Sequence, residues 1–143
     1  MPIKTFRGQL ADEEQDTIRL STNTGLTGYR IRKFQLMPAN PGGQDSVNVC
    51  KIFTYEQGTP VATVDFADET MLAAGVCQNT ASYAYAEYTT IVFEERVFNQ
   101  DIYISQKDYA TGEAVNYYLE LEQIKISTDE AAVATLQDMR GSP

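Results

Sequence analysis

Residues 97–126 constrain this chain more than any other stretch, because two segments within it, QDIYIS at 100–105 and VNYYLELEQIKI at 115–126, alternate apolar and polar residues one by one. A period of two matches a strand with one buried face and no helix. The connecting Asp108-Tyr109-Ala110-Thr111-Gly112-Glu113 is rich in turn formers, so the stretch predicts a long antiparallel hairpin. In its second strand Val115, Tyr117, Leu119 and Leu121 share one face, whereas Ile124 and Ile126 fall on the other, which predicts a bulge or a change of facing sheet near Gln123.

Upstream the same period recurs in shorter runs. Residues 17–21 place Ile18 and Leu20 on one side, and the pattern resumes over 29–37 after Gly25 and Gly28, which predicts a second hairpin. Within 29–37 the apolar phase slips near Lys33, as a β-bulge would make it. The stretch Pro38-Ala39-Asn40-Pro41-Gly42-Gly43 ends that strand. Residues 47–56 are apolar on both faces, which suits a covered central strand. Residues 61–66, 71–76, 91–93 and 97–98 read as further short strands, so the expected class is mainly β, an antiparallel β-sandwich of jelly-roll-like type.

The two ends differ from this middle. In residues 1–16, Ile3, Phe6 and Leu10 are scattered through a polar segment, which predicts an extended N-terminal arm outside the core; a chain lacking residues 1–10 is expected to fold. At the other end Ser127 and Glu130 stand in capping-box spacing, Asp129 and Glu130 suit a first turn, and Arg140 precedes Gly141. A helix is expected over 127–141, with Ala132, Val133, Leu136 and Met139 as its narrow apolar stripe. The expected organisation is one domain, 1–143, with the arm at 1–16, a β core at 17–126 and the helix behind it.

A formal net charge of −9, with six of the eleven basic residues in the first 33 positions, would repel phosphate, so nucleic acid is not an expected partner. The N-terminus has no apolar leader pattern and no stretch reaches the ~20 apolar residues of a membrane span. No membrane partner is expected, and synthesis in a cytoplasm is. Cys50 and Cys77 sit in apolar, β-like surroundings that fit two buried free thiols or one disulfide.

Histidine is absent, which removes the usual general base of hydrolytic triads and a common zinc ligand. Asp65, Asp68 and Glu69 offer oxygen ligands in no calcium-loop spacing, and a solvated turn accounts for them better. Gly25-Leu26-Thr27-Gly28 lacks the Lys-Ser/Thr continuation of a phosphate loop. Two carboxylates suffice for glycosidase chemistry, but twenty acidic residues supply such pairs by chance. No enzyme, cofactor or metal site is predicted.

Contact residues are easier to name. They are Ile3, Phe6, Arg7 and Leu10 of the arm, and Leu136, Met139 and Arg140 of the helix. Tyr83, Tyr85 and Tyr88 within QNTASYAYAEYTT fit either a contact loop, since tyrosine offers large area at low entropic cost, or a strand packing its rings on the sheet.

The phrases IKTFRGQLADEEQ, GLTGYRIRKFQLMP, NQDIYIS with NYYLELEQIKI, and ATLQDMRGSP resemble small virion structural proteins of tailed bacteriophages, especially marine podovirus-like ones. The resemblance covers most of the chain and matches least over 46–90. It implies a non-enzymatic β-sheet protein of the virion that decorates or cements the capsid surface. Its implied partners are the major capsid protein or other virion proteins, with homo-oligomers formed as well. No catalytic residue is carried over. A tail, adaptor or fibre-associated component is one alternative; a carbohydrate-binding β-sandwich, with Tyr83, Tyr85 and Tyr88 stacking on sugar, is another.

Overall fold

A computed structural model describes residues 2–22, 25–41, 43, 45–79, 88–109 and 112–139, with Tyr88 described by its backbone alone. Along these residues run β1 (Ile3–Leu10), β2 (Gln15–Ile18), β3 (Thr27–Pro38), β4 (Ser46–Phe53), β5 (Met71–Asn79), β6 (Tyr88–Phe93), β7 (Ile102–Asp108), β8 (Val115–Lys125) and α1 (Thr128–Asp138). A three-stranded antiparallel sheet, β1-β8-β3, packs on a five-stranded one, β2-β7-β4-β5-β6.

This order has a simple origin. Four strands folded back on the next four and rolled up pair β1 with β8, β2 with β7 and β4 with β5, and all three ladders are present. The fourth pair, β3 and β6, meets across the gap between the sheets, because β6 adds to β5 instead. The sandwich is jelly-roll-like.

Alternation decides what the sheets bury. Phe6, Leu119 and Phe34 form one register row of the smaller sheet, with Leu121 beside Ile31 and Val115 beside Leu10. Ile102, Ile104, Cys50, Ile52 and Ala73 face them from the larger sheet in one continuous core. Each fully buried aliphatic side chain contributes ~1.5–3 kcal/mol. A Cβ at Gly75 would lie 2.8 Å from Leu36 Cδ1, so the glycine sets how closely β3 approaches β5.

Neither expected hairpin forms. β7 pairs with β2 and β4, whereas β8 pairs with β1 and β3, so the chain changes sheet between Asp108 and Val115. Polar bonds seat that corner: Glu113 N–H donates to Asp108 Oδ2 at 2.6 Å, and Glu113 O accepts from the amides of Asn48 and Gln106 at 3.0 and 3.1 Å. β2 and β3 likewise belong to opposite sheets. The bulge near Lys33 is present, as a register shift between Ile31 and Lys33. β8 has none near Gln123, where its pairing with β3 runs unbroken. Its buried face switches because Arg30 covers Glu122 and Ile126 lies against Val97 and the helix.

β4 is the covered central strand expected, between β7 and β5. Residues 61–66 form no strand. Asp65 Oδ1 accepts Ala67 N–H at 2.9 Å, and Asp68 Oδ1 accepts the N–H and hydroxyl of Thr70 at 2.9 and 2.6 Å. Both carboxylates build turns that lay this segment over the outer face of the larger sheet, where Val64 packs on Phe53, Met71 and Ala74. Beneath it the Lys51 ammonium donates to Thr63 O at 2.6 Å, and burial lowers its pKa against the pull of Asp68.

The N-terminal segment is extended, as expected, but it is no free arm. β1 pairs with β8 from Ile3 to Leu10, Leu10 is fully buried, and Phe6 packs on the core. Lys4 and Gly8 hide the alternation, because they take the other inward positions of the strand. The Lys4 ammonium lies 5.7 Å from the Tyr29 ring centre. Gly8 makes room for Tyr117, whose ring would stand 3.0 Å from a Cβ there.

Candidate functional site

α1 starts where its capping pair predicts. Ser127 Oγ accepts Glu130 N–H at 3.2 Å and donates to Glu130 Oε1 at 2.9 Å. Its apolar stripe does not pack on its own sheets: Ala131, Ala134 and Asp138 face inward, while Val133, Leu136 and Met139 are 57%, 73% and 54% exposed. Ala132 is exposed as well. The helix is thus held by small residues and by polar bonds.

Those bonds converge on Asn99 and Asp138. Asn99, fully buried, brings Nδ2 to 2.7 Å from Thr135 Oγ1, 3.0 Å from Gly25 O and 3.2 Å from Ala131 O. Its backbone N–H donates to Asp138 Oδ2 at 2.8 Å, and Arg96 donates to Asp138 Oδ1 at 2.8 Å and to Glu69 O at 2.7 Å. Burial pushes the Asp138 carboxyl above the usual range, against the Asn99 hydrogen bond and the Arg96 charge. A buried hydrogen-bonded network fixes orientation more strictly than apolar contact does, although Arg96 Nε is left without a partner among the described residues in this one. No sequence spacing announces it, because Asn99 and Arg96 lie 39 and 42 residues from Asp138.

The clamp turns the apolar side of α1 outward, between two shallow grooves. One, of about 380 Å³, is lined by Val97, Ile126, Val133 and Ala134 with polar residues at its rim. The other, of about 430 Å³, runs along Leu26, Ala132 and Leu136. A second surface is β1 itself, with Ile3 and Arg7 exposed, and Arg7 beside Tyr118 and Met37 in a further groove. A third, which sequence patterning missed, is the exposed Phe66 close to Val92 of β6. Nothing in the sequence separates Phe66 from a buried strand residue.

The predicted contact residues therefore divide. Ile3, Arg7, Leu136 and Met139 are at the surface, whereas Phe6 packs against the core and Leu10 lies within it. Tyr83, Tyr85 and Arg140 lie outside the described residues, and Tyr88 opens β6.

Charge is unevenly neutralised. Arg19, Arg30, Arg32, Lys33, Arg96 and Lys107 each have a carboxylate within 4 Å, the shortest being Arg30 to Glu122 at 2.6 Å. Among the described residues Lys4, Arg7, Lys51 and Lys125 have no such partner, though Lys51 donates to Thr63 O. Cys50 and Cys77 are buried free thiols, and burial raises the pKa of Cys50, with Cys77 adding to the effect. Among the described residues no three of His, Cys, Asp and Glu gather as a metal site, and no helix is long and apolar enough to cross a membrane. No family model, curated protein or solved structure matches the chain.

Proposed function

We propose that this chain is a structural protein of a phage virion that works by seating on other protein surfaces and, most specifically, decorates or cements a capsid shell. The observation that carries the reading is the orientation of α1. A helix selected only for stability would turn Val133, Leu136 and Met139 to the core; here a buried polar clamp holds them in solvent. Apolar side chains displayed together on a rigid element mark contact surfaces. The resemblance of the sequence phrases supports the virion setting. The acidic balance suits a surface that does not meet packaged nucleic acid.

The test is co-sedimentation of the purified chain with assembled shells that lack it. Saturable binding is expected, weakened ~10-fold or more by Leu136→Ser with Met139→Ser, since apolar residues at a contact centre carry much of its energy. Binding unchanged by the double substitution, or no binding by the natural chain, overturns the reading. Copies per particle, from gel densitometry, separate an abundant shell protein from a tail or adaptor component.

A further inference from the structure

Two open sheets have four edges, and here they are not alike. β2 is four residues long, and β3 is interrupted by its bulge and ends in Pro38. Short or bulged edges resist an added strand. β1 and β6 are regular over eight and six residues, and among the described residues each has a partner strand on one side only. Gln123 N–H donates to Pro2 O at 2.9 Å and Glu94 N–H to Leu72 O at 3.3 Å. Ladder alternation therefore turns the main chain of Ile3, Thr5, Arg7 and Gln9, and that of Thr89, Ile91 and Phe93, to the open sides.

The two open edges differ in charge. β1 carries Lys4 and Arg7 and no acid, while β6 is uncharged and runs directly into Glu94 and Glu95. Lys4 and Arg7 are exposed cations without a carboxylate among the described residues, in a chain of net charge −9; Glu94 is exposed and lacks a cation in the same sense. Antiparallel pairing of β1 with β1 brings the cations of two copies near each other at Arg7, and antiparallel pairing of β6 with β6 brings no cation to Glu94 or Glu95. β1 against β6 is the one combination of these edges that joins opposite charges.

We propose that copies of this chain join head to tail, β1 of one adding to β6 of the next, so that the three-stranded sheet of the first continues into the five-stranded sheet of the second. Antiparallel addition brings the Lys4 end of one strand to the Glu94 end of the other. Thr89, Thr90 and Val92 supply β-branched residues that suit cross-strand pairing. Such a contact is heterologous, so it closes into a ring or runs on as a filament, according to the rotation at each step. The inference rests on the reading of the chain as an assembling structural protein and names a second copy as a partner.

Sedimentation velocity of the full chain over a wide concentration range tests it. The natural chain associates beyond a dimer, and salt weakens the association. Lys4→Glu with Arg7→Glu, and separately Glu94→Lys with Glu95→Lys, each weaken it ~10-fold or more, as charge reversal at a contact does. Mixing the two variants restores association, because each supplies the edge the other has lost; misfolded chains cannot produce that result. A natural chain that stays monomeric throughout, variants that associate like it, or a mixture that stays dissociated overturns the proposal. A chain that binds shells yet never self-associates refutes the edge pairing while leaving the proposed function standing, so the two failures are distinguishable.

Discussion

β1 and α1 both display residues that a contact could use, yet they are built in opposite senses. β1 sends Phe6 and Leu10 inward and, among the described residues, leaves one side of its backbone open, whereas α1 satisfies its backbone within the helix and turns Val133, Leu136 and Met139 to solvent. On the proposed reading, folding and recognition share the same residues in β1. In α1 that reading separates them, because Ala131, Ala134 and Asp138 hold the helix and the opposite face is exposed. A substitution on the outer face of α1 can therefore change binding alone, and almost any change to β1 changes both.

Removing residues 1–10 is the severest way to break that contrast. β8 would lose one of its two ladder partners and the core would lose Leu10 and Phe6. A buried leucine truncated to alanine alone costs ~2–5 kcal/mol, and domains of this size are stable by ~5–15 kcal/mol. The truncated chain is expected to lose cooperative unfolding in urea. A truncated chain that melts within a few degrees of the full one would reduce β1 to an attached strand and restore the free-arm expectation.

Asp138→Ala comes next. It leaves the part-buried Arg96 and the buried Asn99 N–H without the Asp138 acceptor, a change that costs ~3–5 kcal/mol for a buried charged pair. Urea unfolding measures it, and amide exchange should show α1 released before the sandwich. A loss below ~1 kcal/mol would mean that the alanines, not the clamp, hold the helix.

Asp101→Asn is a smaller test at the β2 and β7 edge. Burial alone would raise the Asp101 pKa, but the N–H groups of Ser21 and Leu20, the Ser21 hydroxyl and the Arg19 charge together hold it below the usual value. A depressed folded pKa means that the stabilisation is present above the ordinary Asp value of ~3.9 and is lost as pH falls through the lower folded value. Asp138 has the opposite sign: its raised folded pKa gives a contribution present in acid and lost as pH rises through it. Asp101→Asn should therefore cost ~1–2 kcal/mol at neutral pH and almost nothing in strong acid, read from melts across pH. An equal loss at both pH values would show that the charge is not what matters there.

Much of this frame was legible because period two survives where one face is buried: the covered β4, the slip at Lys33 and the capping pair of α1 all appear where the pattern places them. Alternation is silent on which sheet the next strand joins, so the sheet change between β7 and β8 looked like a hairpin. Lys4 and Gly8 at inward positions disguised β1. The inward face of the helix is not readable from the sequence because one of its residues is an aspartate, made tolerable there by Arg96 and Asn99 far away in the chain. At the candidate site, Ile3, Arg7, Leu136 and Met139 could be chosen by residue type, but the polar clamp that decides their exposure could not.

The smallest expected effect bears most directly on the comparison. Leu136 is the most exposed of the apolar helix residues, at 73%. Truncating it removes little area that folding buries, so Leu136→Ala should alter stability by no more than ~0.5 kcal/mol, the range of surface substitutions. Its helix propensity is slightly worse than that of alanine, which pushes the change toward stabilisation. A leucine that contributes nothing to folding yet sits on a clamped, outward face is what the proposed contact would use. If Leu136→Ala instead lowers the unfolding free energy of the isolated monomer by more than ~1 kcal/mol, the residue is packed within its own chain. The separation of holding face from contact face in α1 would then be wrong.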